Sequence, residues 1–247
     1  GDNRADVVAA AEGGGLAAWH YDATAGAWAL LWRSEDRSAT LIHSLSIADL
    51  DDDGVPEIIA GGLVYGADGS LISGAAGQGE ATCGSYSPPA VTGDVDLDGQ
   101  LELVQGTSIW GWDATTGAMV AEDYVTGAGA AGFAALADFG EFPEVEGDAV
   151  GQPEVVVVTR GRVEAHTIGG HSIFGPVALP GAGDGGNPTV ADFDGDGLPE
   201  VGAGGPGSYS VFDLDCVEGG GSGECASGRI DGILWTRTVQ DTSCGLN

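Results

Sequence analysis

Apolar residues along this chain come in short runs separated by glycine-rich and acidic segments. Glu154-Val155-Val156-Val157-Val158 is β-branched and follows Pro153. Runs of this length and composition, bounded by Pro or Gly, predict strands. The nearest approach to a helical stretch, Gly132 to Ala137, is short and flanked by glycine. An all-β fold follows.

The runs recur in a fixed order. A first segment (Ser46-Ile47-Ala48, Ala90-Val91-Thr92, Ala135-Leu136-Ala137, Thr189-Val190-Ala191) precedes an acidic loop, and a second (Ile58-Ile59-Ala60, Leu103-Val104, Val155 to Val158, Val201) follows it. A third leads into a tight turn: Leu63-Val64-Tyr65 before Ala67-Asp68-Gly69, Ile109 to Trp112 before Thr116-Gly117, Val163 to His166 before Gly169-Gly170, and Tyr209 to Phe212 before Asp213. Asp-Gly and Gly-Gly suit hairpins because they tolerate positive φ. A fourth segment ends in a large apolar residue, as in Leu30-Leu31-Trp32 and Ile233-Leu234-Trp235. Four short strands per unit of about 45 residues predict a β-propeller blade, a sheet that buries its faces only against its neighbours. The expected blades are approximately 1–45, 46–89, 90–134, 135–188 and 189–247, in one propeller region.

The acidic loops read DLDDDGVPE at 49–57, DVDLDGQLE at 94–102 and DFDGDGLPE at 192–200, all of the form DxDxDGxxE. From Glu57 to Glu102 is 45 residues and from Glu102 to Glu200 is 98, so a further unit is expected between them. Residues 138–154, DFGEFPEVEGDAVGQPE, supply it in stretched form, with Asp138 and Glu154 at the first and last motif positions but 16 apart instead of 8.

Carboxylates at alternate positions, a Gly where the chain must turn sharply and a final carboxylate resemble a compressed EF-hand loop. So many carboxylates in one turn repel each other unless a hard cation sits among them, and calcium, with six to eight oxygen ligands in flexible geometry, is the natural choice. The expected ligands are Asp49, Asp51, Asp53, Glu57 and the Val55 carbonyl; Asp94, Asp96, Asp98, Glu102 and the Gln100 carbonyl; and Asp192, Asp194, Asp196, Glu200 and the Leu198 carbonyl. The stretched loop lacks the middle carboxylates, so Asp138 and Glu154 form a weaker candidate, with Glu141, Glu146 or Asp148 as substitutes.

The charge is one-sided: 38 acidic residues face 7 basic ones, all arginine, for a net charge of −31. This would repel a phosphate backbone, so nucleic acid is not an expected partner. The four cysteines, Cys83, Cys216, Cys225 and Cys244, contain no CxxC pair. They read as two disulfides, with Cys216–Cys225 favoured across a loop holding Gly219, Gly220, Gly221 and Gly223, and they point to an oxidising, extracytoplasmic location. No run of about 18 apolar residues is present, so membrane insertion is not expected.

The DxDxDGxxE loops, set between short strands and recurring at about 45 residues, resemble the FG-GAP repeats of integrin-α-like β-propellers and their secreted bacterial relatives. The resemblance implies a calcium-binding propeller with seven blades in full, of which this chain supplies about five. It also implies that the calcium loops lie on one face and the ligand on the opposite face. The expected role is a non-enzymatic, extracellular binding or adhesion module for protein or carbohydrate. The alternatives are the scaffold of a secreted polysaccharide lyase or hydrolase, and a structural subunit of a surface or filamentous assembly that joins through incomplete ends.

Several signals are discounted. GAGAAG at 127–132 and GAGDGG at 181–186 match a dinucleotide fingerprint, but each ends six residues before an acidic motif, with no helix to receive a pyrophosphate. No GxSxG elbow occurs, and His166 and His171 flank a Gly-Gly turn as a hairpin pair would. Asp213 and Asp215 read as turn residues, and most tryptophans as packing between blades, with Trp112 the best candidate for exposure.

The opening GDNRAD aligns with Gly195 to Glu200: Asp2 takes position 5, Asn3 the glycine position, Arg4 the carbonyl position and Asp6 position 9. The expectation is half of another ion loop, a weak site at most, in a repeat array incomplete at both ends.

Overall fold

A computed structural model describes residues 5–12, 14–35, 44–74, 88–122, 132–140, 142, 149–181, 183–219 and 225–240. Among these the regular elements are all strands, and no helix is long and apolar enough to cross a membrane. The strands form five antiparallel sheets, each built from consecutive strands in chain order.

The first sheet has three strands: β1 (Val7–Ala10), β2 (Leu16–Asp22) and β3 (Ala27–Arg33). The second holds β4 (Leu45–Ala48), β5 (Glu57–Ala60), β6 (Leu63–Tyr65) and β7 (Leu71–Gly74), and the third β8 (Val91–Gly93), β9 (Glu102–Gln105), β10 (Ser108–Asp113) and β11 (Ala118–Ala121). The fourth holds β12 (Phe133–Ala137), β13 (Glu154–Thr159), β14 (Arg162–His166) and β15 (Ser172–Ala178), and the fifth β16 (Thr189–Ala191), β17 (Glu200–Gly205), β18 (Ser208–Val217) and β19 (Asp231–Thr238).

Successive sheets pack face to face, which explains why the strand after each acidic loop is apolar at successive positions. Alternate residues of a strand point to opposite faces, so a strand buried on both sides needs apolar residues throughout. Ile58 packs with Leu16 of the first sheet, whereas Ile59 packs with Leu103 and Trp110 of the third. Val155 and Val157 face Val104 and Ile109, and Val156 and Val158 face Val201 and Phe212.

Close contacts between sheets demand glycine in places. Trp32 on β3 donates its indole N–H to the Ala67 carbonyl at 2.9 Å, and a Cβ on Gly69 would lie 2.4 Å from the Trp32 ring. Gly69 also sits at φ +82°, so two independent constraints exclude a side chain there.

Two expectations are corrected. The strand holding Tyr209 to Phe212 does not turn at Asp213 but runs on to Val217; its register against β19 shifts between Phe212 and Val217, which absorbs Asp213 and Asp215 into an irregular strand. Trp28, 54% exposed and edge-on to Tyr21, is the open tryptophan, whereas Trp112 packs against the core between the second and third sheets. Cys216 and Cys225 form the expected disulfide; Cys83 and Cys244 lie outside the described residues.

Candidate functional site

The acidic loops join the first and second strands of the second, third and fifth sheets, and each is clamped by the same pairing. Glu57 stands opposite Ala48, Glu102 opposite Gly93 and Glu200 opposite Ala191. Glu154 stands opposite Ala137 in the same way, so the eight extra residues of the stretched loop leave the register of the sheet unchanged.

The final Glu closes each loop from below. Its Oε2 accepts the N–H of the second loop residue: Leu50 at 2.9 Å, Val95 at 2.7 Å, Phe139 at 2.7 Å and Phe193 at 2.6 Å. Leu50, Val95 and Phe139 are buried, so this residue anchors the loop in the core while its backbone is satisfied by a carboxylate.

The aspartates organise the rest. Oδ2 of Asp49, Asp94 and Asp192 accepts the N–H of Gly54, Gly99 and Gly197 at 3.0, 3.0 and 3.1 Å. Asp51, Asp96 and Asp194 accept from the residue two further on, and so do Asp53, Asp98 and Asp196, whose donors are the N–H groups of Val55, Gln100 and Leu198. In these bonds one oxygen of each aspartate holds the loop. The second is oriented by the first.

These second oxygens are the basis for a metal. Oδ1 of Asp49 and Oδ1 of Asp94 are buried with no hydrogen-bond partner among the described residues. Burying a carboxylate oxygen unpaired is costly, and a cation among the loop carboxylates removes the cost. Ligand atoms of Asp49, Asp51 and Asp53 lie within 4.8 Å of one another, as do those of Asp94, Asp96 and Glu102, and of Asp192, Asp194 and Glu200. Hard oxygen donors in this arrangement suit calcium. The third loop differs in one respect: Asp192 Oδ1 also accepts the Gly195 N–H at 2.6 Å.

Electrostatics shows the same strain. Glu57 is raised above the usual carboxylate range, and Glu102 and Glu200 are pushed up to about 7. Burial is the main cause in all three; backbone N–H donation opposes it, and the neighbouring aspartates add to it.

The other candidates fare differently. Asp138 is exposed and accepts the Gly140 N–H at 2.9 Å, while Glu141, Glu146 and Asp148 lie outside the described residues, as do Asp2 and Arg4. Asp6 is exposed just before β1. Among the described residues neither Asp6 nor Asp138 joins a group of three ligating side chains. Asp213 comes close to Cys216 and Cys225, but sulfurs bonded to each other are not thiolates and do not ligate a metal.

Sequence reasoning missed the fourth loop position. Asp52 and Leu97 hold φ of +59° and +64° there, the left-handed region that non-glycine residues rarely occupy. The signal was Gly195, which fills the same position in the third loop with φ +87°.

No curated protein matches this sequence. Among solved structures, the biofilm matrix protein Bap1 of V. cholerae aligns at 14% identity over 97% of this chain and 37% of its own, with a TM-score of 0.52. A Bacillus licheniformis rhamnogalacturonan lyase aligns at 25% identity over 81% of this chain and 31% of its own, with a TM-score of 0.47, and the rhamnogalacturonan lyase YesW at 24% identity over 81% and 31%, with a TM-score of 0.46. This chain therefore spans about a third of the length of each. Within it, residues 148–203, which include the third acidic loop and the strands before it, match the family model of the FG-GAP-like repeat.

Proposed function

We propose that the chain is a calcium-stabilised part of a β-propeller that acts outside the cytoplasm as a non-enzymatic binding module for protein or carbohydrate. One observation carries the calcium: the same loop occurs three times in the same register, and in two of them a buried aspartate oxygen has no partner among the described residues. Asp49, Asp51, Asp53 and Glu57, their counterparts Asp94, Asp96, Asp98 and Glu102, and Asp192, Asp194, Asp196 and Glu200 would hold the ions. The carbonyls of Val55, Gln100 and Leu198 complete the proposed sets. The five sheets, each packed on the next, are the blades in this reading.

A calcium ion supplies positive charge that lets these carboxylates ionise together. The Cys216–Cys225 bridge and the repeat type support an extracytoplasmic setting. Binding rather than catalysis is favoured because the two carboxyls pushed up to about 7, Glu102 and Glu200, both belong to the acidic loops.

Chelation tests the reading. Treating the protein with EGTA should lower the melting temperature clearly, and added calcium should restore it. An unchanged melting curve, together with no calcium by elemental analysis, would rule the proposal out.

A further inference from the structure

The fifth sheet places a further carboxylate beside its acidic loop, on a strand that the loop motif does not reach. Val201 on β17 pairs with Phe212 on β18, and the next step of this antiparallel register sets Asp213 across from Glu200, the final residue of the third loop. Residues opposite each other in such a pair share a face. Val201 and Phe212 pack toward the fourth sheet, so Glu200 and Asp213 lie together on the other face. The same step in the second, third and fourth sheets puts Gly66 across from Glu57, Gly111 across from Glu102 and Thr167 across from Glu154. Asp68 and Glu122 reach over the two glycines, but Asp68 is exposed and spends Oδ1 on Ser70, and Glu122 is partly exposed. A buried carboxylate at this place is particular to the fifth sheet.

Asp213 is only 5% exposed. Its Oδ1 accepts the Asp215 N–H at 2.7 Å. Its Oδ2 lies 3.2 Å from Cys216 Sγ, but that sulfur is bonded to Cys225 and carries no hydrogen to donate. Among the described residues no N–H or O–H reaches Oδ2. The two arginines that follow in the chain are engaged elsewhere, since Arg229 pairs with Asp231 and Arg237 lies over the Trp235 ring. A carboxylate oxygen buried without a donor is costly, and a nearby cation removes the cost.

The third loop differs from the other two in a way that Asp213 answers. In those two the unpaired oxygen is Oδ1 of Asp49 and Asp94, whereas Asp192 Oδ1 is spent on the Gly195 N–H. In the fifth sheet the unpaired oxygen therefore stands on the neighbouring strand instead of in the loop. It is close enough to the loop for the charges to interact. Burial raises Asp213 above the usual carboxylate range, the Asp215 N–H opposes this, and Asp215, Asp194 and Asp196 add to it; Asp213 in turn adds to the effect of burial on Glu200.

We propose that Asp213 serves the third ion site as an additional carboxylate, adding negative charge beside Asp192, Asp194, Asp196 and Glu200 and so tightening that loop's hold on calcium. The inference rests on the calcium reading above. Asp213 acts through the charge it adds and does not build the loop, whose bonds from Phe193, Gly197 and Leu198 are made without it.

The test is calorimetric titration of the metal-free full chain with calcium, comparing the parent with Asp213→Asn and Glu218→Gln. Asn keeps an oxygen to accept the Asp215 N–H and removes the charge, while Glu218 is exposed and removes the same charge outside the site. In Asp213→Asn one bound equivalent should weaken about tenfold and the others should stay unmoved. Glu218→Gln should match the parent within about twofold. In an Asp194→Asn background, which disables the third loop, Asp213→Asn should leave the remaining equivalents as they are. Identical binding by the parent and Asp213→Asn, an equal loss in Glu218→Gln, or weakening of the remaining equivalents in the Asp194→Asn background would each overturn the assignment while leaving the calcium reading in place. A parent chain that binds no calcium would overturn that reading and this inference with it.

Discussion

Glu102→Gln should change stability in opposite directions with and without calcium. In the metal-free protein, burial and the nearby aspartates raise this carboxyl from 4.5 to about 7. A group whose folded pKa is raised binds its proton more tightly in the folded state, so its ionisation destabilises the fold as pH rises from about 4.5 to about 7. Each factor of ten in proton affinity is about 1.4 kcal/mol; after discounting for solvent on the open side of the loop, the cost above pH 7 is about 1–2 kcal/mol. Gln removes that charge and keeps an oxygen to accept the Val95 N–H now taken by Oε2 at 2.7 Å. In EGTA at pH 8 the variant should therefore melt higher than the parent by about 3–6 °C, and the gain should vanish near pH 4.5. In excess calcium it should melt lower, because a proposed ion ligand has lost its charge. Differential scanning calorimetry of both proteins under these conditions decides the matter. A variant that melts below the parent in EGTA at pH 8, or equally with it in calcium, would refute the reasoning.

Gly69→Ala should destabilise the protein by about 2–4 kcal/mol, through left-handed strain, the clash with Trp32 and loss of its indole hydrogen bond, as read by urea unfolding followed by tryptophan fluorescence. Gly54→Ala, also at positive φ but with open space around it, should show only the strain of about 1–2 kcal/mol, measured in EGTA to separate it from ion binding. Leu97→Asn should raise stability by about 0.5–1 kcal/mol, since Leu97 is exposed and left-handed and Asn adopts that conformation more readily; a lower melting temperature would count against the strain. Replacing Cys216 and Cys225 together by serine opens a loop of separation 9 and should cost about 2–3 kcal/mol by denaturant unfolding.

Strand order and the placing of the acidic loops were legible in the sequence because both depend on local spacing. Leu45–Ala48, Glu57–Ala60 and Leu63–Tyr65 sit where the repeated apolar segments place them, and the acidic motif marks the connection between the first two. What depends on contacts distant in sequence was not legible. Trp28 and Trp112 both lie on strands, but only the packing of the second sheet against the third decides that Trp112 is covered. The extension of β18 past Asp213 depends on a partner strand about twenty residues away whose register shifts to accommodate it. The meeting of Glu164 and Pro176 at one cavity needed the irregular pairing of β14 with β15, which no local motif announces. Likewise, the sequence named carboxylates as ion ligands without showing that the same groups first accept backbone N–H bonds.

That backbone role, beside the proposed role in ion binding, separates the sheet from the ion. In all four of these loops the final Glu caps the second residue and pairs in the same register, including the stretched loop, which has Gly140 and Phe142 where the others have the third and fifth aspartates. Register is therefore set by hydrogen bonds and core anchors such as Leu50, Val95 and Phe139. In the proposed reading, calcium compensates the buried charge that those anchors impose, so the loops lose stability without it while the strand pairing persists. Far-ultraviolet circular dichroism should accordingly stay close to unchanged on chelation at low temperature, even as the melting temperature falls. Loss of the strand signal at low temperature would mean that the ions, and not the Glu caps, hold the register.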